Sequence, residues 1–250
     1  MVVHPRARDG LPAELYSGEG LEMGFSFRRA YDAAIRFCGL YAHTCPAAGF
    51  MKTILQRRIG SSVAARRSTT RALLAGATIG SAIDDEDEDL HAQERERMPD
   101  EVAALCEVEV HLLAVLDRGK LDPKVEVIIR YLTDNRWLAD HGMIAFSQFF
   151  DTAEFVGKGL DERFPDEAVA IYAGSGRSFV LHGGERRRTD RNVIKELVCT
   201  GGINLVASTD AAWEGLIPTL TDQNPWAHRL SPMAMMRQGW AMSLLQASQQ

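Results

Sequence analysis

Apolar positions along this chain change period from segment to segment, and each change marks a different kind of structure. Over 1–24, Gly and Pro are frequent and no period is kept, which predicts irregular leading chain. From Phe25 to about 74 the period is helical. Tyr31, Ala34, Ile35 and Cys38 share one face of a first helix, and Ile54, Leu55, Ile59 and Val63 share one face of a second that runs from Phe50. Helical period returns over 101–116, where Val102, Leu105, Val108, Leu112 and Val115 form a stripe. Beyond Asp122 helices and strands alternate: a helix to about 132, and an apolar strand ending in Ser147 and Gln148. A helix with its N-cap expected at Asp151 follows, then a strand over 169–172 closed by a turn of Gly174, Ser175 and Gly176. A further helix through Val198 leads to a last strand from Leu205. Such alternation predicts an α/β fold, a parallel sheet with crossover helices, behind a mostly helical N-terminal segment.

Charge divides the chain further. Lys52, Arg57, Arg58, Arg66, Arg67 and Arg71 lie on the second helix with no acidic residue among them. Two readings stay open: a surface that grips nucleic-acid phosphates, with Arg57 and Arg58 as candidates, or a solvated helix face. The run Asp-Asp-Glu-Asp-Glu-Asp at 84–89 repels itself in any single helical turn and predicts a linker. It is a poor magnesium-binding box, because Gly80 and Ser81 interrupt the buried strand such a box requires. The expected organisation is a helical segment over 1–82, an acidic linker over 83–100 and an α/β lobe over 101–250.

Composition narrows the class. The chain has 250 residues, 46% hydrophobic and 25% charged, so it can bury a sizeable core. A net charge of −6 excludes a uniformly basic coat, and any nucleic-acid contact must come from local patches. Cys38, Cys45, Cys106 and Cys199 form neither a Cys-x-x-Cys pair nor a cluster with histidine, which predicts reduced thiols and no metal site. No apolar run approaches the roughly 18 residues of a membrane span, so a cytoplasmic protein with no membrane partner is expected.

Chemistry concentrates where the last strand ends. The run Leu-Val-Ala-Ser-Thr-Asp-Ala-Ala-Trp-Glu-Gly-Leu at 205–216 carries a strand into a polar turn. In open parallel sheets ligands bind beyond the carboxyl ends of the strands, where Thr209, Asp210 and Gly215 fall. Asp210 can accept from a sugar hydroxyl, and Gly215 allows close backbone approach.

This run resembles motif V of the second RecA-like lobe in SWI/SNF-like helicases of superfamily two. Trp213 stands in place of the usual small residue, and Ile217-Pro218 in place of the usual continuation. Further blocks occur in the family's order. The stretch 122–132 resembles the helix leading into that lobe, 142–153 resembles motif IV, and 168–176 resembles the strand before a "tyrosine, any residue, glycine" loop. Glu185-Arg-Arg-Arg188 and the helix after it resemble the passage into motif V, and 49–62 resembles an inter-lobe segment. The resemblance implies a RecA-like lobe that forms one jaw of a DNA-dependent ATPase. It implies Ser147 and Gln148 on the nucleic-acid backbone, Thr209 in coupling or strand contact, and Asp210 with Gly215 on the nucleotide side. DNA and a first helicase lobe, in cis or trans, are the implied partners. ATP is shared with that first lobe, and Mg2+ is held only through it. No catalytic residue is assigned.

Departures from the pattern matter equally. No Gly-x-x-x-x-Gly-Lys-Ser/Thr loop is present, since Gly119-Lys120 is followed by Leu and Gly157-Lys158 by Gly. The family's Gln-Arg-x-Gly-Arg-x-x-Arg block is also missing, although Arg229 and Arg237 occur near its place. The loss of resemblance after Leu216 predicts a truncated or frameshifted fragment that does not hydrolyse ATP alone, because phosphoryl transfer needs charge stabilisation from both lobes. The alternative is a non-catalytic nucleic-acid-binding or interaction fragment. A dinucleotide site fails because Gly174-Ser-Gly-Arg-Ser-Phe lacks the third glycine and His182-Gly183-Gly184 breaks the helix that should follow. A serine hydrolase fails because Ser175 lacks the nucleophile elbow.

Overall fold

The computed structural model describes residues 24–44, 48–77, 96–116, 122–134, 136–140, 142–174 and 176–209. Most of the expected acidic linker (83–95, with the acidic run), Ser175, Asp210, Gly215 and the tail after 216 lie outside the described residues, while the linker's expected end at 100 is overrun by a helix that begins at Pro99. Within them, α1 (Phe25–Thr44), α2 (Ala48–Ser61), α3 (Val63–Leu74) and α4 (Pro99–Leu116) surround one core. On α1 the buried stripe is Phe27, Ala30, Ala34, Phe37, Cys38 and Tyr41, whose small members let α4 approach through Ala104, Leu105, Val108 and Leu112. That stripe is rotated from the expected one, leaving Tyr31 and Ile35 only partly buried. The lobe expected over 101–250 takes in most of α4, but the apolar face of that helix belongs to the helical core.

The basic helix expected from Phe50 onward is two helices. After Gly60 and Ser61, Ser62 turns to extended backbone (φ −154°, ψ 166°), and its hydroxyl accepts from Ala65 N to cap α3.

The second half begins with α5 (Pro123–Thr133) and α6 (Trp137–Asp140) and continues through β1 (Met143–Ser147), α7 (Phe150–Arg163) and β2 (Val169–Tyr172). It ends with β3 (Phe179–His182), β4 (Glu185–Arg188), α8 (Arg191–Cys199) and β5 (Leu205–Thr209). The strands form one sheet in the order β1-β5-β2-β3-β4. Strands β1, β5 and β2 are parallel, as the alternation predicts. Met143, Ala145, Val169, Ile171, Leu205 and Ala207 face α5 and α7, while Ile144, Phe146, Ala170, Tyr172 and Val206 face α8.

The stretch 179–188 departs from expectation. It is an antiparallel hairpin, β3 on β4, that extends the sheet beyond β2. Gly183 and Gly184, at φ +58° and +86°, supply the two left-handed positions of its tight turn. Helix α7 departs too. It starts at Phe150, with Phe149 in the cap position and no side-chain cap, so the expected cap Asp151 lies inside the first turn. Its glycines seat it closely: a Cβ on Gly157 would stand 2.7 Å from Ile171 Cδ1, and one on Gly159 2.9 Å from Val125 Cγ1.

A polar seam joins the helical core to the lobe at the α2–α3 joint. Ser61 and Ser62 hydroxyls lie 2.8 and 2.9 Å from Thr152 Oγ1 on α7. Asp122 accepts from Lys124 N at the start of α5 and from Val63 N at the start of α3, so one carboxylate serves two helix N-termini. Lys124 Nζ donates to the Gly60 and Ser61 carbonyls, at the end of α2 where a cation is favoured.

Burial lowers the Lys124 ammonium from its ordinary 10.5 to about 8, opposed by Asp122 and assisted by Arg66. Between those values the unfolded chain holds a proton that the folded chain has lost. The group therefore adds stability as pH rises from about 8 to 10.5, and its penalty is constant below about 8. Urea titrations of wild type and Lys124→Met across this window should show a wild-type minus variant difference that climbs with pH. A flat or falling difference contradicts the burial.

Candidate nucleic-acid interface

The parallel strands β1, β5 and β2 all point their carboxyl ends to one rim of the sheet, and α7 begins there. Ser147 and Thr209 are register partners on neighbouring strands, so their side chains lie side by side on the α7 face. Ser147 Oγ accepts from Phe149 N at 3.1 Å, placing that hydroxyl at the start of α7. Gln148 follows, partly exposed. Thr209 is 5% exposed, and its Oγ1 has no hydrogen-bond partner among the described residues. A buried hydroxyl without a partner costs about 1–3 kcal/mol, and this one lies at the rim where a 14-residue helix starts without a side-chain cap.

Positive charge gathers at the same rim. Strand β4 runs antiparallel to β3, which brings Arg188 level with Phe179 at the carboxyl end of β2. Arg188 lies against Gly176, since a Cβ there would be 3.3 Å from its Nη2. The turn is held shut by Ser178 Oγ, which donates to Ala173 O and accepts from Ala173 N. Arg177 places its guanidinium 4.7 Å over the Phe150 ring at the first position of α7. On the opposite face Arg191, at the start of α8, stands 4.8 Å over the ring of Tyr172. Tyr172 is fully buried, and its hydroxyl likewise has no hydrogen-bond partner among the described residues.

The residues expected from sequence divide between this rim and elsewhere. Ser147, Gln148 and Thr209 come together. Asp210 and Gly215 lie outside the described residues, directly downstream of β5. Arg57 is exposed on α2. Arg58 is not a surface group. Its side chain is 6% exposed and donates from Nη2 to Asp151 Oδ2 at 2.6 Å and from Nε to Thr69 Oγ1 at 2.7 Å. Three further cations of the expected phosphate-gripping helix are also engaged within the chain. Arg66 is buried, donates to the Ile59 carbonyl and packs over Phe27, and burial lowers its guanidinium to about 10. Arg67 and Arg71 both meet Glu109 on α4. Arg177, Arg188 and Arg191 are the rim residues that sequence reasoning missed. The signal that could have found them is Gly183-Gly184 between two four-residue runs, a hairpin signature that carries Arg188 back to the rim. Among the described residues no cluster of His, Cys, Asp or Glu is arranged to hold a metal ion. No helix there is long and apolar enough to cross a membrane.

No protein-family model matches the chain, and no curated protein does. Among solved structures it is similar to the crystal structure of the Pyrococcus furiosus Hef helicase domain, with a TM-score of 0.50 at 13% identity, over 93% of this chain and 57% of that one. The fold is helicase-like. In this helicase-like fold the α/β half, a mostly parallel sheet with helices on both faces, is a RecA-like lobe. The chain spans 57% of the length of the helicase domain it matches, and at 13% identity the likeness bears on fold alone.

Thr209→Val keeps the side chain's shape and deletes the unpaired hydroxyl. It should raise unfolding free energy by about 1 kcal/mol in urea titrations, since the removed group is unsatisfied. A loss of stability would mean the hydroxyl has a partner.

Proposed function

We propose that this chain is the second RecA-like lobe of a SWI/SNF-like, ATP-dependent DNA translocase, and that the rim of its sheet binds the nucleic-acid backbone. The observation that carries this reading is the buried, unpaired Thr209 hydroxyl beside Ser147 at the uncapped start of α7. A phosphate oxygen at that position accepts from the Thr209 hydroxyl and from the first-turn amides of α7. Arg177, Arg188 and Arg191 supply the positive potential that concentrates a polyanion there despite a net charge of −6. Gln148 reaches the adjacent sugar-phosphate. The helicase-like fold and the order of the motif-like blocks support the same assignment.

The nucleotide reading belongs to residues downstream of the rim. Asp210 and Gly215 are assigned to the ATP side on their resemblance to motif V, and Mg2+ with the phosphate loop is assigned to a first lobe. ATP, when bound between lobes, supplies the hydrolysis that moves the pair along DNA. This chain's own part is to hold the strand. It contains no phosphate-cradling loop, which favours a second reading as a nucleic-acid-binding fragment without turnover.

Fluorescence anisotropy with a short labelled duplex tests the binding claim. Affinity should fall linearly on a log–log plot against salt, and Arg188→Ala should reduce that slope by about 0.9 for duplex DNA. Ser147→Ala and Thr209→Val should each weaken binding about tenfold, the loss of one hydrogen bond to a charged group. Thr209→Val would then be a variant that gains stability while losing affinity. Salt-independent binding, or none, rejects the reading.

ATPase assays separate the two readings. The chain alone should be silent, and mixing with a separately expressed first lobe should yield DNA-stimulated hydrolysis. Hydrolysis by the chain alone overturns the half-motor assignment, whereas silence on mixing with salt-sensitive DNA binding retained favours the fragment without turnover.

A further inference from the structure

We propose that Arg58 is a positioning residue for the phosphate at the rim, acting through Asp151; this rests on the reading of the rim as a backbone-binding site. Asp151 occupies the first turn of α7 with its uncapped amides, at the rim where Thr209, on the α7 face of the sheet, keeps a hydroxyl without a partner among the described residues. An acidic side chain there normally stabilises a helix by facing its positive end. At a site for a phosphate the same carboxylate is a competitor, occupying the amides and repelling the ligand.

The structure resolves that conflict with Arg58. The guanidinium draws the Asp151 carboxylate to 2.6 Å from Nη2, and no described side chain caps the Phe150 and Asp151 amides. Arg58 also packs 5.3 Å over the ring of Phe149, the residue in the cap position, and is fixed from behind by Thr69 on α3. One buried cation thus touches both residues that flank Phe150. It neutralises the acid nearest the ligand and holds the helix start in place. Ser61 and Ser62 on Thr152 add two more ties from the same joint to the same turn. The helical core therefore takes part in nucleic-acid binding without presenting Arg58 to the ligand.

The test is a charge-compensation cycle read by anisotropy with the labelled duplex on the full chain. Arg58→Met leaves Asp151 uncompensated and should weaken binding about 10- to 100-fold, in the range seen when one member of a close charge pair is removed. Arg58→Met with Asp151→Asn removes both charges and should recover most of the affinity. Arg58→Lys keeps the charge but loses the fork that reaches both Thr69 and Asp151, and should bind more tightly than Arg58→Met. Asp151→Asn alone keeps the cation and should bind at least as tightly as wild type although it folds less stably, so it decides the matter even where Arg58→Met does not fold. A merely structural role predicts the opposite: affinity would track unfolding free energy, and both Asp151→Asn and the double variant would bind weakly. Either result overturns the proposal. If wild type binds and Thr209→Val weakens binding while the charge cycle shows no compensation, only this inference fails. No binding by wild type removes both.

Discussion

A guanidinium sealed inside a protein constrains everything around it, and Arg58 is such a group. Taking an ion out of water costs several kcal/mol unless its hydrogen bonds are met in good geometry. Asp151 and Thr69 meet them, and they come from α7 and α3, so the spacing of α2, α3 and α7 is set by one side chain. Apolar contacts alone would tolerate sliding of one core over another. The seam does not, because Ser61, Ser62, Asp122 and Lys124 each join groups from different elements across it. This directional joint lets a four-helix cluster and a sheet lobe present one surface.

The seam and the rim treat polar groups in opposite ways. Along the seam buried donors find acceptors. At the rim Thr209 and Tyr172 keep buried hydroxyls without partners, at the ends of neighbouring strands and on opposite faces of the sheet. Each costs about 1–3 kcal/mol that a Val or Phe would not. Arg67 Nε, Glu109 Oε2 and Asp161 Oδ1 are also without a hydrogen bond, but each belongs to a side chain that meets a partner through an ion pair or another oxygen, whereas these two hydroxyls gain nothing for stability, and such local departures from consistency concentrate where ligands bind.

How much of this was legible depended on whether burial leaves a trace in the sequence. Strands β1, β2 and β5 are covered on both faces, so each reads as a continuous apolar run, and all three were legible with their parallel sense. Strand β4 reads Glu-Arg-Arg-Arg and is exposed throughout, so hydrophobic period could not reveal it. Charged edge strands protect a sheet from further pairing, and the turn glycines alone announce this one. The burial of Arg58 has a different cause. Leu55, Arg58, Ile59 and Ser62 stand at i, i+3, i+4 and i+7, and all are buried, so Arg58 lies on the apolar stripe while Arg57 lies off it. Arg66 repeats the pattern between Val63, Thr70 and Leu73. Helical period puts both on the inward face, which a count of charge along the helix hides. The partner of an inward arginine, here Asp151 at a distance of 93 residues, is set by tertiary structure and leaves no local signal.

Net charge follows the same logic. The chain carries 34 acidic and 28 basic side chains, an excess of acid that argues against polyanion binding if charge is averaged. Placement reverses the argument. Glu109 is matched to Arg67 and Arg71, Asp122 is occupied with two helix starts, and Asp161 accepts from Gly184 N at the hairpin turn. These acids are committed to structure away from the rim. Arg177, Arg188 and Arg191 converge on the rim because a hairpin and a helix start both end there. Screening at physiological salt confines exposed charges to a range of about 8 Å, so a ligand at the rim senses these neighbours far more than the sum over the chain. Asp190 beside Arg191 is occupied in capping α8, and Asp151, in the first turn of α7, is the acid against which the fold sets a buried arginine.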